Sequence, residues 1–140
     1  MFSSTLLILV LKSFSKAEKL SIRNFPQLNR LDFPKKSLAS IVELTLDQVP
    51  FLSSIKFEEG ALRSLSTLAL KNFYNLCNIT AEKGALASLL RFELTTLSNL
   101  NLVHFQPSSG ANLQAIQLNS NRFLFNCETR CSQTQYVCCW

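Results

Sequence analysis

The sequence predicts an α/β solenoid built from 24-residue coils, and two observations carry that prediction. Residues 12–107 divide without gaps into four blocks of 24, starting at Lys12, Lys36, Gly60 and Gly84. Each block contains the pattern apolar-x-x-apolar-x-apolar twice. All patterned positions are apolar in a chain that is 47% apolar, a coincidence of roughly 1 in 10⁸ before choice of register.

The first copy centres on Leu20, Leu44, Leu68 and Phe92, and the second on Leu31, Ile55, Ile79 and Val103. Polar residues flank most centres, such as Lys19 and Ser21 or Glu43 and Thr45, while Ala69 and Leu102 break the rule. Such period-two alternation predicts short strands with one buried face. A strand this short cannot bury its apolar edge alone, but stacked coils bury a continuous core. The first copy is therefore expected to form a parallel β-sheet on the concave side. The second should form the opposite wall as short strands or turns, with little helix. The period of 24 lies within the leucine-rich-repeat range of about 20–29 residues.

Further columns recur at the same period. Phe25, Val49, Phe73 and Leu97 form one, and Phe14, Leu38, Leu62 and Leu86 another. A leucine-rich repeat usually places asparagine or cysteine where the first of these stands. The polar turn role is expected one residue earlier, at Asn24, Gln48, Asn72 and Thr96. Pro26 and Pro50 lack an N–H and suit the loop leaving the strand. Only the last coil, Leu113 to Asn121, keeps the usual asparagine.

The repeat region is expected to span 1–121, about five coils. Stepping back 13 from Leu20 reaches Leu7, so residues 1–11 fit the register as another strand. A signal peptide is the competing reading, but the apolar run Leu6–Leu11 is short and has no basic residue before it. Read as a strand, the start falls in mid-repeat, without the polar cap a solenoid needs. Residues 122–140 read as a poorly ordered tail carrying four of the five cysteines. A disulfide-bonded cap is the alternative if the protein is secreted. Cys127, Cys131, Cys138 and Cys139 lack the paired spacing of structural zinc sites. Stepping 11 from Ile116 places the next strand centre at Cys127, a degraded copy of the pattern.

Composition narrows the chemistry. The chain has 140 residues, 26 of them leucine, only 3 glycines and a single histidine, His104. No glycine-rich phosphate loop, nucleophile elbow or zinc-helix motif occurs. His104 falls beside Asp32, Lys56 and Thr80 in the repeat, with no partner for catalysis. Asn78-Ile79-Thr80 is a glycosylation sequon, meaningful only in the secretory pathway. The reading is a binding protein rather than an enzyme, with no cofactor and no metal. The net charge of +5 is scattered, so no nucleic-acid partner is expected, and no segment is long enough for a membrane span. The predicted protein-binding face consists of the outward residues of the first strands: Lys19, Ser21, Arg23, Glu43, Thr45, Asp47, Thr67, Lys71, Arg91, Glu93, Thr95, Gln117 and Asn119. Its mixed charge suits a protein partner.

Three features resemble the C-terminal leucine-rich repeats of plant nucleotide-binding disease-resistance receptors. They are Gly60-Ala61-Leu62 and Gly84-Ala85-Leu86 before a strand, the preceding pairs Glu58-Glu59 and Glu82-Lys83, and the rhythm of Asn24-Phe25-Pro26-Gln27-Leu28 and Gln48-Val49-Pro50-Phe51-Leu52. The resemblance covers about residues 12–121. It implies a cytoplasmic module that binds a pathogen effector or a modified host protein. It also implies a nucleotide-binding domain as an intramolecular or separate partner. That domain is not among these residues, so the chain reads as a truncated member or decoy. A non-functional gene fragment and a secreted repeat protein with a disulfide-capped end are the alternatives.

Overall fold

The structure is a computed structural model that describes residues 16–97, 102–119 and 124–127. The chain winds as a parallel β-solenoid with two strands per 24-residue coil. One sheet holds β1 (Lys19–Arg23), β3 (Glu43–Asp47), β5 (Thr67–Phe73), β7 (Arg91–Leu97) and β9 (Ala115–Asn119), in that order. The other holds β2 (Arg30–Phe33), β4 (Ser54–Phe57), β6 (Asn78–Ala81), β8 (Leu102–Phe105) and β10 (Leu124–Cys127). We call these sheets A and B. The opposite wall, expected as strands or turns, is strands, and no helix occurs among the described residues. Both walls advance by one strand spacing, about 4.8 Å, per coil. The coil therefore has no wide helical side to make one wall longer than the other.

Register follows the sequence period. Leu20, Leu44, Leu68, Phe92 and Ile116 lie opposite one another across sheet A, and Leu31, Ile55, Ile79 and Val103 across sheet B. Inward-facing residues fill the space between the sheets. Of the patterned residues, Ala17 and Leu20 pack partly buried against the core, Leu100 lies outside the described residues, and all the others are buried. The predicted strand and cap boundary at residues 1–11 also lie outside the described residues.

One register differs from the sequence reading. Phe125, not Cys127, stands opposite Val103. The step from Ile116 to the next strand centre is therefore two residues shorter than in the earlier coils. Counting by a fixed 11 overshoots because the corner between β9 and β10 is shorter. A strand pair thus continues past residue 121, where the sequence reading ended the repeat.

The corners share a backbone device. Three columns take left-handed φ in successive coils: Asn24, Gln48, Asn72 and Thr96; Lys36, Gly60, Gly84 and Ser108; and Leu38, Leu62, Leu86 and Gly110. The first is the column assigned the polar turn role, and short polar side chains tolerate this conformation best. The second explains Gly60 and Gly84, since glycine adopts φ of +69° and +72° without a Cβ penalty. The third is unexpected, because leucine rarely takes positive φ. Burial compensates here, as Leu62 and Leu86 are fully covered. Exposed Lys36, at φ +54°, has no such compensation. Lys36→Gly is expected to raise stability by about 0.5–1 kcal/mol, read from the urea midpoint at unchanged m.

Corner hydrogen bonds run from coil to coil and extend both ladders. The Lys36 and Gly60 N–H groups donate to the Glu59 and Lys83 carbonyls, at 3.0 and 3.2 Å. Between these columns Ser37, Ala61, Ala85 and Ser109 are small and buried. Both serine hydroxyls donate to the carbonyl three residues back, at 2.7 and 2.6 Å, which removes the cost of burying them.

Candidate functional site

The outward side chains of sheet A form three rows across the strands, as the alternation predicts. Lys19, Glu43, Thr67 and Arg91 make one row, and Ser21, Thr45, Ala69 and Glu93 the next. Arg23, Asp47, Lys71 and Thr95 make the third. The backbone register continues the last two rows to Gln117 and Asn119. The structure thus gathers the predicted face onto one sheet. Lys19 and Glu43 are direct cross-strand neighbours, with Nζ 3.3 Å from the carboxylate. Both are well exposed, so the pair contributes little stability. Ala69 projects outward yet is only 5% exposed.

Sheet B has its own charged surface. Arg30 Nε lies 3.1 and 3.0 Å from the two Asp32 oxygens. Lys56 Nζ lies 3.0 Å from a Glu82 carboxylate oxygen. The other oxygen of Glu82 accepts the Glu59 N–H at 3.1 Å, so this side chain ties two coils together. The hydrogen bond and charge of Lys56 hold the Glu82 carboxyl below its ordinary range, and Glu82 raises the Lys56 ammonium. With its pKa depressed, Glu82 contributes stability above the ordinary glutamate range, and that contribution fades as pH falls through its lowered value. With its pKa raised, Lys56 contributes below the ordinary lysine value and loses that contribution only at more alkaline pH. Glu82→Gln is therefore expected to flatten the acid side of the stability curve. Urea midpoints at pH 7 and pH 3 should differ less in the variant than in the wild type. His104 stands outward in the row of Asp32, Lys56 and Thr80, as its repeat position predicts.

A second surface was not foreseen from sequence. Where the chain leaves sheet A, a groove of about 500 Å³ is lined by Asn24, Gln48 and Asn72 and by Pro26, Pro50 and Tyr74. It runs across three coils. Tyr74 is 53% exposed, and Phe51, next to Pro50, is 59% exposed. The left-handed φ at Asn24, Gln48 and Asn72 breaks the strand alternation. Asn24 and Pro26 therefore line one hollow with their counterparts in the next two coils. From the sequence, the amide column is expected in the turn and the prolines in the loop. Both columns were visible, but their meeting depends on the kink. The Asn72 side-chain amide also donates to the Asp47 carboxylate at 2.8 Å, which links the groove to the third row of sheet A.

No protein-family model, curated protein or solved structure matches the chain. Among the described residues no helix is long and apolar enough to cross a membrane, and no three His, Cys, Asp or Glu side chains gather as a metal site.

Proposed function

We propose that this chain is a protein-recognition module that binds a protein ligand on the outward face of sheet A. The observation that supports this is the face itself. Residues far apart in sequence, such as Glu43, Lys71 and Arg91, are held in rows by a rigid parallel ladder. Such a ledge offers charges of both signs at fixed spacing, which suits a protein surface better than a polyanion. Binding rather than catalysis is the function. The resemblance of the repeats to plant disease-resistance receptors supports a role in immune recognition. On that reading it works in the cytoplasm, its ligand is a pathogen effector or an altered host protein, and a nucleotide-binding domain is its partner.

The test reverses charge at Glu43, Asp47, Lys71 and Arg91 together in the full chain. Partners recovered by affinity purification from plant tissue are then titrated against both proteins. Loss of a partner's binding by at least ~10-fold, with an unchanged circular dichroism spectrum, supports the reading. Unchanged affinity for every partner rejects it. Thiol counting on protein from its native source tests the compartment: five free thiols fit the cytoplasm, and one fits a secreted form with two disulfides.

A further inference from the structure

We infer that the corner groove binds a proline-containing peptide segment in the polyproline II conformation that carries acidic side chains. The inference rests on the reading of the chain as a protein-binding solenoid but concerns a different surface from the sheet face.

The first support is periodicity. The amide row and the ring row both repeat once per coil, about 4.8 Å. Asn24 and Asn72, like Pro26 and Tyr74, are two coils apart, about 9.6 Å. A polyproline II helix repeats every three residues, about 9.3 Å. One ligand turn therefore matches two coils with a mismatch of about 0.3 Å across the groove. An extended strand, with a two-residue repeat of about 6.7 Å, falls out of step with the coils at once.

The second support is hydrogen bonding. Polyproline II has no internal hydrogen bonds, and its carbonyls point outward. Among the described residues, the side-chain amides of Asn24 and Gln48 make no hydrogen bond and stand at the surface. Their N–H groups are available to ligand carbonyls. Tyr74 lines the same groove and is about half exposed, and aromatic-lined grooves take proline-rich segments.

The third support is charge. Along the adjoining row, Asp47 accepts the Asn72 amide. Arg23 and Lys71, on either side of it, form no ion pair among the described residues. They too are two coils apart. The rim is thus net positive, with cations one ligand turn apart. An acidic residue at every third ligand position complements it.

The probe is fluorescein-labelled (Pro-Pro-Glu)₄, capped at its C-terminus, titrated into the full chain and followed by anisotropy. The comparison peptides are (Gly-Ser-Glu)₄, of equal charge but flexible, and (Pro-Pro-Lys)₄. Saturable binding of the first, roughly 10-fold tighter than of either other, is the expected result. Tyr74→Ala should weaken it roughly 3–10-fold. Asn24→Gly preserves the left-handed φ and removes one of the unbonded amides, and should weaken it as well. Circular dichroism of each variant confirms its fold. Equal binding of the two acidic peptides, or none of the first, overturns the inference. So does Tyr74-dependent binding of cellohexaose in place of peptide, which would make the groove a glycan site. Glu43→Lys with Arg91→Glu alters the row furthest from the groove. Its effect on protein partners but not on the peptide separates failure of this inference from failure of the sheet-face reading.

Discussion

Leu68→Asp is expected to leave no cooperatively folded protein. Leu68 sits in the middle strand of sheet A, opposite Leu44 and Phe92, and is fully buried. The described core is apolar apart from two small serines, Ser37 and Ser109. A carboxylate there has no partner and no water. Burying it costs about 4 kcal/mol or more, a large part of the stability of a domain this small. The solenoid amplifies the damage. Each coil is stabilised mainly by its neighbours, so a broken central coil uncouples those on either side. Thr67→Asp is the control, because Thr67 is the outward neighbour on the same strand and only partly buried. It should shift the melting midpoint by a few degrees at most. Far-ultraviolet circular dichroism against temperature distinguishes the two. A Leu68→Asp protein that melts like the wild type would contradict the assigned inward register.

Gly110→Ala should be the more damaging of two alanine substitutions that look alike in sequence. Gly110 has φ +57°, and a Cβ there would lie 2.6 Å from Cδ2 and 2.8 Å from Cε2 of Phe105. The ring cannot yield cheaply, because Phe105 is fully buried and its ring meets that of Phe92 edge-on at 6.1 Å. The cause lies one coil earlier. Phe33 and Phe57 stack in parallel at 5.0 Å, but Ala81 stands where the next ring would be. Phe105, with Ala81 beside it on sheet B, leans on Phe92 and occupies the space over Gly110. Overpacking and the left-handed backbone together should cost about 2–4 kcal/mol. Gly84→Ala has a similar φ of +72° with nothing within 4 Å, so only the backbone penalty of about 1 kcal/mol applies. Phe105→Leu in the Gly110→Ala background should recover part of the loss. A double-mutant cycle on urea midpoints would measure that coupling, and strict additivity would refute the proposed contact.

Much of this architecture is legible in the residues. A 24-residue period with two apolar centres per coil is enough to place Leu44, Leu68 and Phe92 on one wall and Ile55, Ile79 and Val103 on the other. Local alternation decides inside from outside, because side chains on a strand alternate whatever the surroundings. The outward rows of sheet A follow from the same rule, and the structure assembles Glu43, Thr67 and Arg91 as read.

Other features required the folded chain. Leu62 and Leu86 take left-handed φ where stacked coils close over them, and no local preference of leucine predicts that. The shorter step from Ile116 to Phe125 emerges only when β10 pairs with β8, since pairing sets the register while counting along the chain does not. The groove of Asn24, Gln48, Asn72, Pro26, Pro50 and Tyr74 belongs to the same class. Its two rows meet where a left-handed residue interrupts the alternation in successive coils. Composition and period determined the solenoid and its two walls, and the tertiary structure decided how the corners turn and therefore which residues share a hollow.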